Sequence, residues 1–253
     1  MEVHHHSHTA DPDIHRGRKK WTHYFWEFLM LFLAVFCGFL AEYQLEHRIE
    51  KDRERQYMQS LIKDLNQDIN NIDVEFANRK MRDEIADSLT NMFFKDNFKE
   101  YTGLIYYCAR RFSVAGYIFH MTDGTLMQLK NSGGLRLIHE KGVVDSLQAY
   151  YNLYQQHNDN LELEMLQLRD YRDVMVKIFD VKIFDYINKN FPALQIPQGN
   201  PPLFSNDESL INQLLMRIHL SKRINLVNIQ NSANLKNKAI RLIEKIRNEY
   251  HLE

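Results

Sequence analysis

From Glu42 to about Phe94 the chain has neither proline nor glycine. Apolar residues recur through this stretch at Met58, Ile62, Leu65, Ile69, Ile72 and Phe76, spaced alternately four and three apart among charged and amide side chains. That spacing predicts one long amphipathic or coiled-coil helix over 46–94, with a heptad seam that must be covered by later helices or by a second copy.

Ahead of it, the run Phe28–Ala41 carries no charge at all. At about 1.5 Å per residue it rises only about 21 Å, short of a hydrocarbon core of roughly 30 Å. Its flanks lengthen it. Trp21, Tyr24, Phe25 and Trp26 precede it, aromatic types that settle at a lipid–water boundary, and Tyr43 and Leu45 extend the apolar surface after it. A transmembrane helix over 21–45 is therefore expected, anchored by Trp21, Trp26, Phe28, Phe39 and Leu40. A cleaved signal peptide fits poorly, because Phe39 occupies the position two before Ala41 where a small residue is wanted. Ala34, Gly38 and Ala41, with Cys37, share one helix face, and small side chains let membrane helices approach closely.

Arg16, Arg18, Lys19 and Lys20 crowd the amino-terminal side, whereas Glu42 and Glu46 precede the first arginine beyond the run. The positive-inside rule then places residues 1–20, a basic His-rich tail read as disordered, in the cytoplasm. The remainder lies on the far side, which for a bacterial inner membrane is the periplasm.

The rest of the chain also reads as helix. Tyr101–Phe112 has an apolar side, and 113–124 is a loop. Thr125 and Gln128 have capping-box spacing, opening a short helix that stops at Gly133-Gly134. A long helix is expected from Val143 to about Asn188, with Leu161, Met165, Leu168, Met175 and Phe179 on its apolar stripe. The prolines of 191–204 make a loop. Ser205 and Glu208 are a second capping-box pair, opening the first of the helices in 205–253, and Leu235, Ile240, Leu242, Ile243 and Ile246 mark the last. No strand pattern competes. The expected fold is all-α, a transmembrane helix continuing into a long helix, with an antiparallel helical bundle that includes 95–190 and a corner at 125–138.

Composition changes this picture little. Nine glycines and five prolines in 253 residues favour long helices over a turn-rich β fold. A formal charge of −1 gives no basic face of the sort nucleic acid requires, so none is expected as a partner. Cys37 in the apolar run and Cys108 far along the chain do not read as a disulfide pair.

Candidate chemistry is sparse. His4, His5, His6 and His8, with His15, could wrap a zinc, nickel or copper ion, or form a weakly chelating tail with no ion of its own. The stretch around Ser132, Gly133 and Gly134 reads either as a polar bend offering backbone amides to a ligand, or as a helix–helix corner over Leu129, Leu135, Leu137 and Ile138. No phosphate loop, Gly-x-Ser-x-Gly, His-Glu-x-x-His or Cys-x-x-Cys occurs. No cofactor is expected, and the chain is read as non-enzymatic.

The basic tail, the run Trp-Glu-Phe-Leu-Met-Leu-Phe-Leu-Ala-Val-Phe-Cys-Gly-Phe-Leu-Ala-Glu over Trp26–Glu42, and Gln-Leu-Lys-Asn-Ser-Gly-Gly-Leu-Arg-Leu-Ile over Gln128–Ile138 together resemble an uncharacterised family of Bacteroidota-type single-pass membrane proteins, a domain of unknown function. The resemblance covers about 16–155. It implies a bacterial envelope protein and brings no catalytic residues. The function expected is a membrane-anchored scaffold or sensor, working with the lipid bilayer, an envelope protein partner and a possible second copy. The alternative is a ligand- or metal-binding accessory subunit of a transport or defence system.

Overall fold

The computed structural model describes residues 17–252, with side chains from Trp21 onward. His4, His5, His6, His8 and His15 lie outside the described residues. Every regular element described is helical: α1 (Gly17–Phe93), α2 (Thr102–Phe112), α3 (Gly124–Asn131), α4 (Lys141–Met175), α5 (Val181–Asn188) and α6 (Glu208–Tyr250), with short 3-10 turns at Phe98–Tyr101 and Gly134–Leu137. The fold is all-α. The chain divides into two compact units, Met1–Glu54 and Arg55–Glu253.

In the first unit, α1 carries one stretch long and apolar enough to cross a membrane, and none of that stretch is buried against protein. Trp21, Trp26, Phe28, Phe39 and Leu40 are all exposed. Phe28, Phe32 and Phe36 stack in succession along one face, with centroids 6.3 and 5.9 Å apart. Ala34, Cys37, Gly38 and Ala41 are exposed on α1, with open space above Gly38.

The second unit is built on α1 from Arg55 onward, α4 and α6. Cross-helix hydrogen bonds fix their directions. Between α1 and α6 they join Asp73 to Lys236, Glu75 to Ser232 and Arg79 to Asn225, so the two run antiparallel. Between α4 and α6 they join Ser146 to Lys245, Glu164 to Asn228 and Asp170 to Arg217, again antiparallel. Between α1 and α4 they join Asp68 to Tyr150, Glu75 to His157 and Arg79 to Glu164, so these two run parallel. The antiparallel expectation thus describes two of the three helix pairs. A parallel pair needs a return crossover, and α2, the 113–123 loop and α3 supply it.

The seam of α1 differs from the apolar one expected. Its buried positions are Met58, Leu61, Leu65, Asp68, Ile72, Glu75, Arg79, Arg82, Ala86, Leu89 and Phe93, spaced three and four apart throughout. Ile62 is buried beside it, while Ile69 and Phe76 sit half-buried on its shoulder. Four central seam positions, Asp68, Glu75, Arg79 and Arg82, are charged, and so an apolar count takes Ile69 and Phe76 where the seam has Asp68 and Glu75.

Two apolar cores result. One gathers Met58, Leu65 and Ile72 with Phe119, Leu129, Leu147, Leu235 and Leu242. The other gathers Leu89 and Phe93 with Ile105, Phe112, Leu168, Ile178, Leu214 and Ile218.

Three expected boundaries change. The helix expected from Val143 to Asn188 ends at Met175, where a turn tucks Ile178 and Phe179 into the second core. There Phe179 meets the Tyr106 ring edge-on at 5.0 Å. The chain restarts as α5 behind Asp180, whose carboxylate accepts from the Lys182 amide at 2.9 Å. Residues 208–250 form one helix rather than several, and its cap is Asp207, which accepts from the Leu210 amide at 2.8 Å. Ser205, the expected cap, instead accepts from the Asp207 amide.

Candidate functional site

Between the two apolar cores the seams of all three long helices turn polar together. Glu75, Arg79 and Arg82 come from α1, His157 and Glu164 from α4, and Ser221, Asn225, Asn228 and Ser232 from α6. All are buried. Burying charge costs heavily unless each ion is paired and hydrogen-bonded, and the layer is assembled to do that.

Arg79 is its hub. Its Nε and Nη2 donate to Glu75 Oε1 at 3.1 and 2.9 Å, and Nη1 donates to Glu164 Oε2 at 2.8 Å and Asn225 Oδ1 at 3.3 Å. Asn225 Nδ2 returns a bond to the Arg79 carbonyl at 2.9 Å, fixing its amide orientation. Glu164 Oε2 also accepts from Asn228 Nδ2 at 2.8 Å. The Ser232 hydroxyl lies 3.0 Å from Glu75 Oε2 and 2.9 Å from the Asn228 carbonyl. His157 Nε2 sits 3.1 Å from Glu75 Oε1, and since an ionised carboxylate only accepts, that nitrogen carries the proton. His157 Nδ1 is buried with no partner, beside the Phe119 ring.

Burial alone would raise Glu75. The hydrogen bond from His157 and the Arg79 charge outweigh it and hold the carboxyl below its ordinary value.

Arg82 stands at the margin. Its Nη1 donates to the Val114 carbonyl at 2.7 Å, its Nε is 3.9 Å from Glu164 Oε1, and its guanidinium lies 4.4 Å over the Phe112 ring. Nη2 is buried without a partner. Burial, together with the neighbouring Arg79 and Arg172 charges, pushes this group below its ordinary value against the pull of Glu164.

Beside Arg82 opens a cleft of about 250 Å³ lined by Arg82, Arg110 and Arg111 with Ile85, Val114 and Leu194 among its apolar walls, and no carboxylate lines it. A smaller cavity shares Arg82 with it and reaches Arg79 and Glu164. Arg110 donates to Asn188 Oδ1 at 2.9 Å. The Arg111 guanidinium lies beside Met81 Sδ and 5.7 Å from the centre of the Tyr107 ring.

The 125–138 segment is a corner. Thr125 is not the cap of α3, which begins at Gly124 without a side-chain cap of its own. A cap comes from α1, where Asp64 Oδ2 accepts from the Thr125 amide at 3.1 Å, and Asp68 Oδ1 accepts from the Thr122 amide in the preceding loop at 2.7 Å. Tyr150 donates to the other Asp68 oxygen at 2.7 Å. Burial raises the Asp68 carboxyl even so. Gln128 is exposed, and its carbonyl accepts from both the Ser132 amide and hydroxyl. Gly133 takes φ +68°, and Gly134 is pressed against Leu129. The amides of Ser132 and Gly133 bond within the turn. Among the described residues no group of three or more His, Cys, Asp or Glu side chains could hold a metal ion.

The layer and the cleft were not picked out from the sequence. Their signal is polar side chains standing at three-four spacing in α1 and α6, as in Glu75, Arg79 and Arg82. No protein-family model, curated protein or solved structure matches this chain.

Proposed function

We propose that this chain is a membrane-anchored, non-enzymatic helical sensor or scaffold of the bacterial envelope, of the type that the Trp26–Glu42 and Gln128–Ile138 motifs resemble. The observation that carries it is that one helix, α1, holds both an apolar stretch without protein cover and the charged hub of the buried layer. Lipid covers the stretch, with the amino-terminal tail cytoplasmic and the rest periplasmic. Glu75 and Glu164 are each held by a guanidinium and closed from solvent, an arrangement suited to fixing helix register rather than to moving protons for a substrate.

The test is alkaline extraction of cell membranes combined with reporter fusions at the carboxyl terminus. The protein should stay in the membrane pellet and a periplasm-active reporter should work there. A chain that leaves the membrane in carbonate and stays monodisperse without detergent would sink the proposal.

The cleft beside Arg82 favours a second reading, a ligand-binding accessory subunit. Its metal version rests on His4, His5, His6 and His8, and zinc titration of the wild type against His→Ala variants tests it. Pairing through Ala34, Gly38 and Ala41 predicts a Cys37 disulfide-crosslinked dimer in membranes that Cys37→Ser abolishes.

A further inference from the structure

We propose that the cleft between α1, α2 and the 191–194 segment binds a small organic anion, a carboxylate or phosphate carried on an apolar body. Three guanidinium groups line it and no acid answers them there. Arg110 is held by an amide oxygen. Among the described residues neither Arg110 nor Arg111 lies within ion-pair distance of a carboxylate. Arg82 points the same way more sharply. It is 8% exposed, yet Nη2 finds no acceptor. A buried guanidinium nitrogen without an acceptor is costly, and an anion at the cleft floor would supply one.

The walls set the rest of the ligand. Ile85, Val114, Ala115, Phe191 and Leu194 are apolar, so the molecule presents a hydrocarbon or aromatic portion to them and its charge to the arginines. A volume of about 250 Å³ lies just under the roughly 300–1,000 Å³ of pockets that hold drug-sized ligands, which suits a small metabolite. Because Arg82 also faces Glu164 in the buried layer, occupation of the cleft would bear directly on that layer's charge balance.

This names a ligand class for the sensory and accessory readings above. Binding is measured independently of topology, so failure here and failure of the membrane anchor are told apart.

The experiment is calorimetric titration of the full chain in phosphatidylcholine nanodiscs, in phosphate-free buffer, with phenyl phosphate, benzoate and neutral benzamide. Saturable binding of at least one anion and none of benzamide is expected. Arg111→Gln should weaken it about tenfold or more, the loss of one charge-assisted hydrogen bond. Arg110→Gln should act likewise. If that variant fails to fold by circular dichroism, Arg111→Gln decides, its side chain being half-exposed and outside every ion pair among the described residues. Absence of saturable binding by both anions, or wild-type affinity in Arg111→Gln, overturns the proposal. So does an effect seen only when the discs contain phosphatidylglycerol, which would make the site one for a lipid headgroup.

Discussion

Glu75 shows how much one side chain decides here. It accepts from Arg79 and from His157 and lies beside the Ser232 hydroxyl, so truncation leaves several buried donors unanswered, one of them charged. Glu75→Ala should cost about 3–5 kcal/mol, the range for removing one partner of a buried ion pair, read as a lowered urea midpoint in detergent. The same residue sets a pH dependence. Its folded pKa is depressed, so its stabilising share is complete above the ordinary carboxylate value and is lost as pH falls through the folded value. Asp68 is raised, so its share is present at low pH and disappears as pH climbs through the folded value. Acid unfolding should therefore separate them. Glu75→Gln should flatten the loss of stability on acidification, and Asp68→Asn should not.

At the scale of elements, capping explains where helices start better than propensity does. Asp207 and Asp180 cap α6 and α5 locally and are legible as acids before apolar runs. Asp207→Ala should cost about 1 kcal/mol, measured as a shift in unfolding midpoint. For α3 the cap comes from Asp64 on another helix, at a separation no local pattern reveals. Two glycines carry more than conformational freedom in general. Gly133 holds φ +68°, and Gly133→Ala should cost about 1–2 kcal/mol. Gly103 lies against the Gly199 carbonyl, where a Cβ would collide, so Gly103→Ala should loosen the 191–204 segment. Faster hydrogen exchange at the Gln195 amide, which donates to the Ile187 carbonyl, would show it.

Across the second unit, the polar layer divides the interior into two apolar halves. Asn228→Leu with Ser232→Val would replace polar seam positions by apolar ones, but would remove one hydrogen-bond donor each from Glu164 and Glu75, which remain buried. The double variant should therefore lose stability despite its added apolar area, since a buried carboxylate short of a hydrogen bond costs about 1–3 kcal/mol or more, against roughly 25 cal/mol per Å² of burial. A rise in unfolding midpoint would show that the layer is retained for specificity at a cost in stability.

The sequence by itself determined the helical class, the apolar run, the end of α1 to within a residue of Phe94, the existence of α2 and the turn at Gly133-Gly134, because each depends on neighbours three or four residues away or on backbone geometry at one residue. Only the tertiary structure decided the seam register of α1, the unity of α6, the parallel pairing of α1 with α4 and the convergence of three arginines on one cleft. Asp68, Glu75, Arg79, Asn225 and Asn228 look solvated by type, yet each is buried because a partner on another helix neutralises or satisfies it. Polarity along a chain measures attraction to water; which polar groups find one another instead is fixed only once the helices have packed.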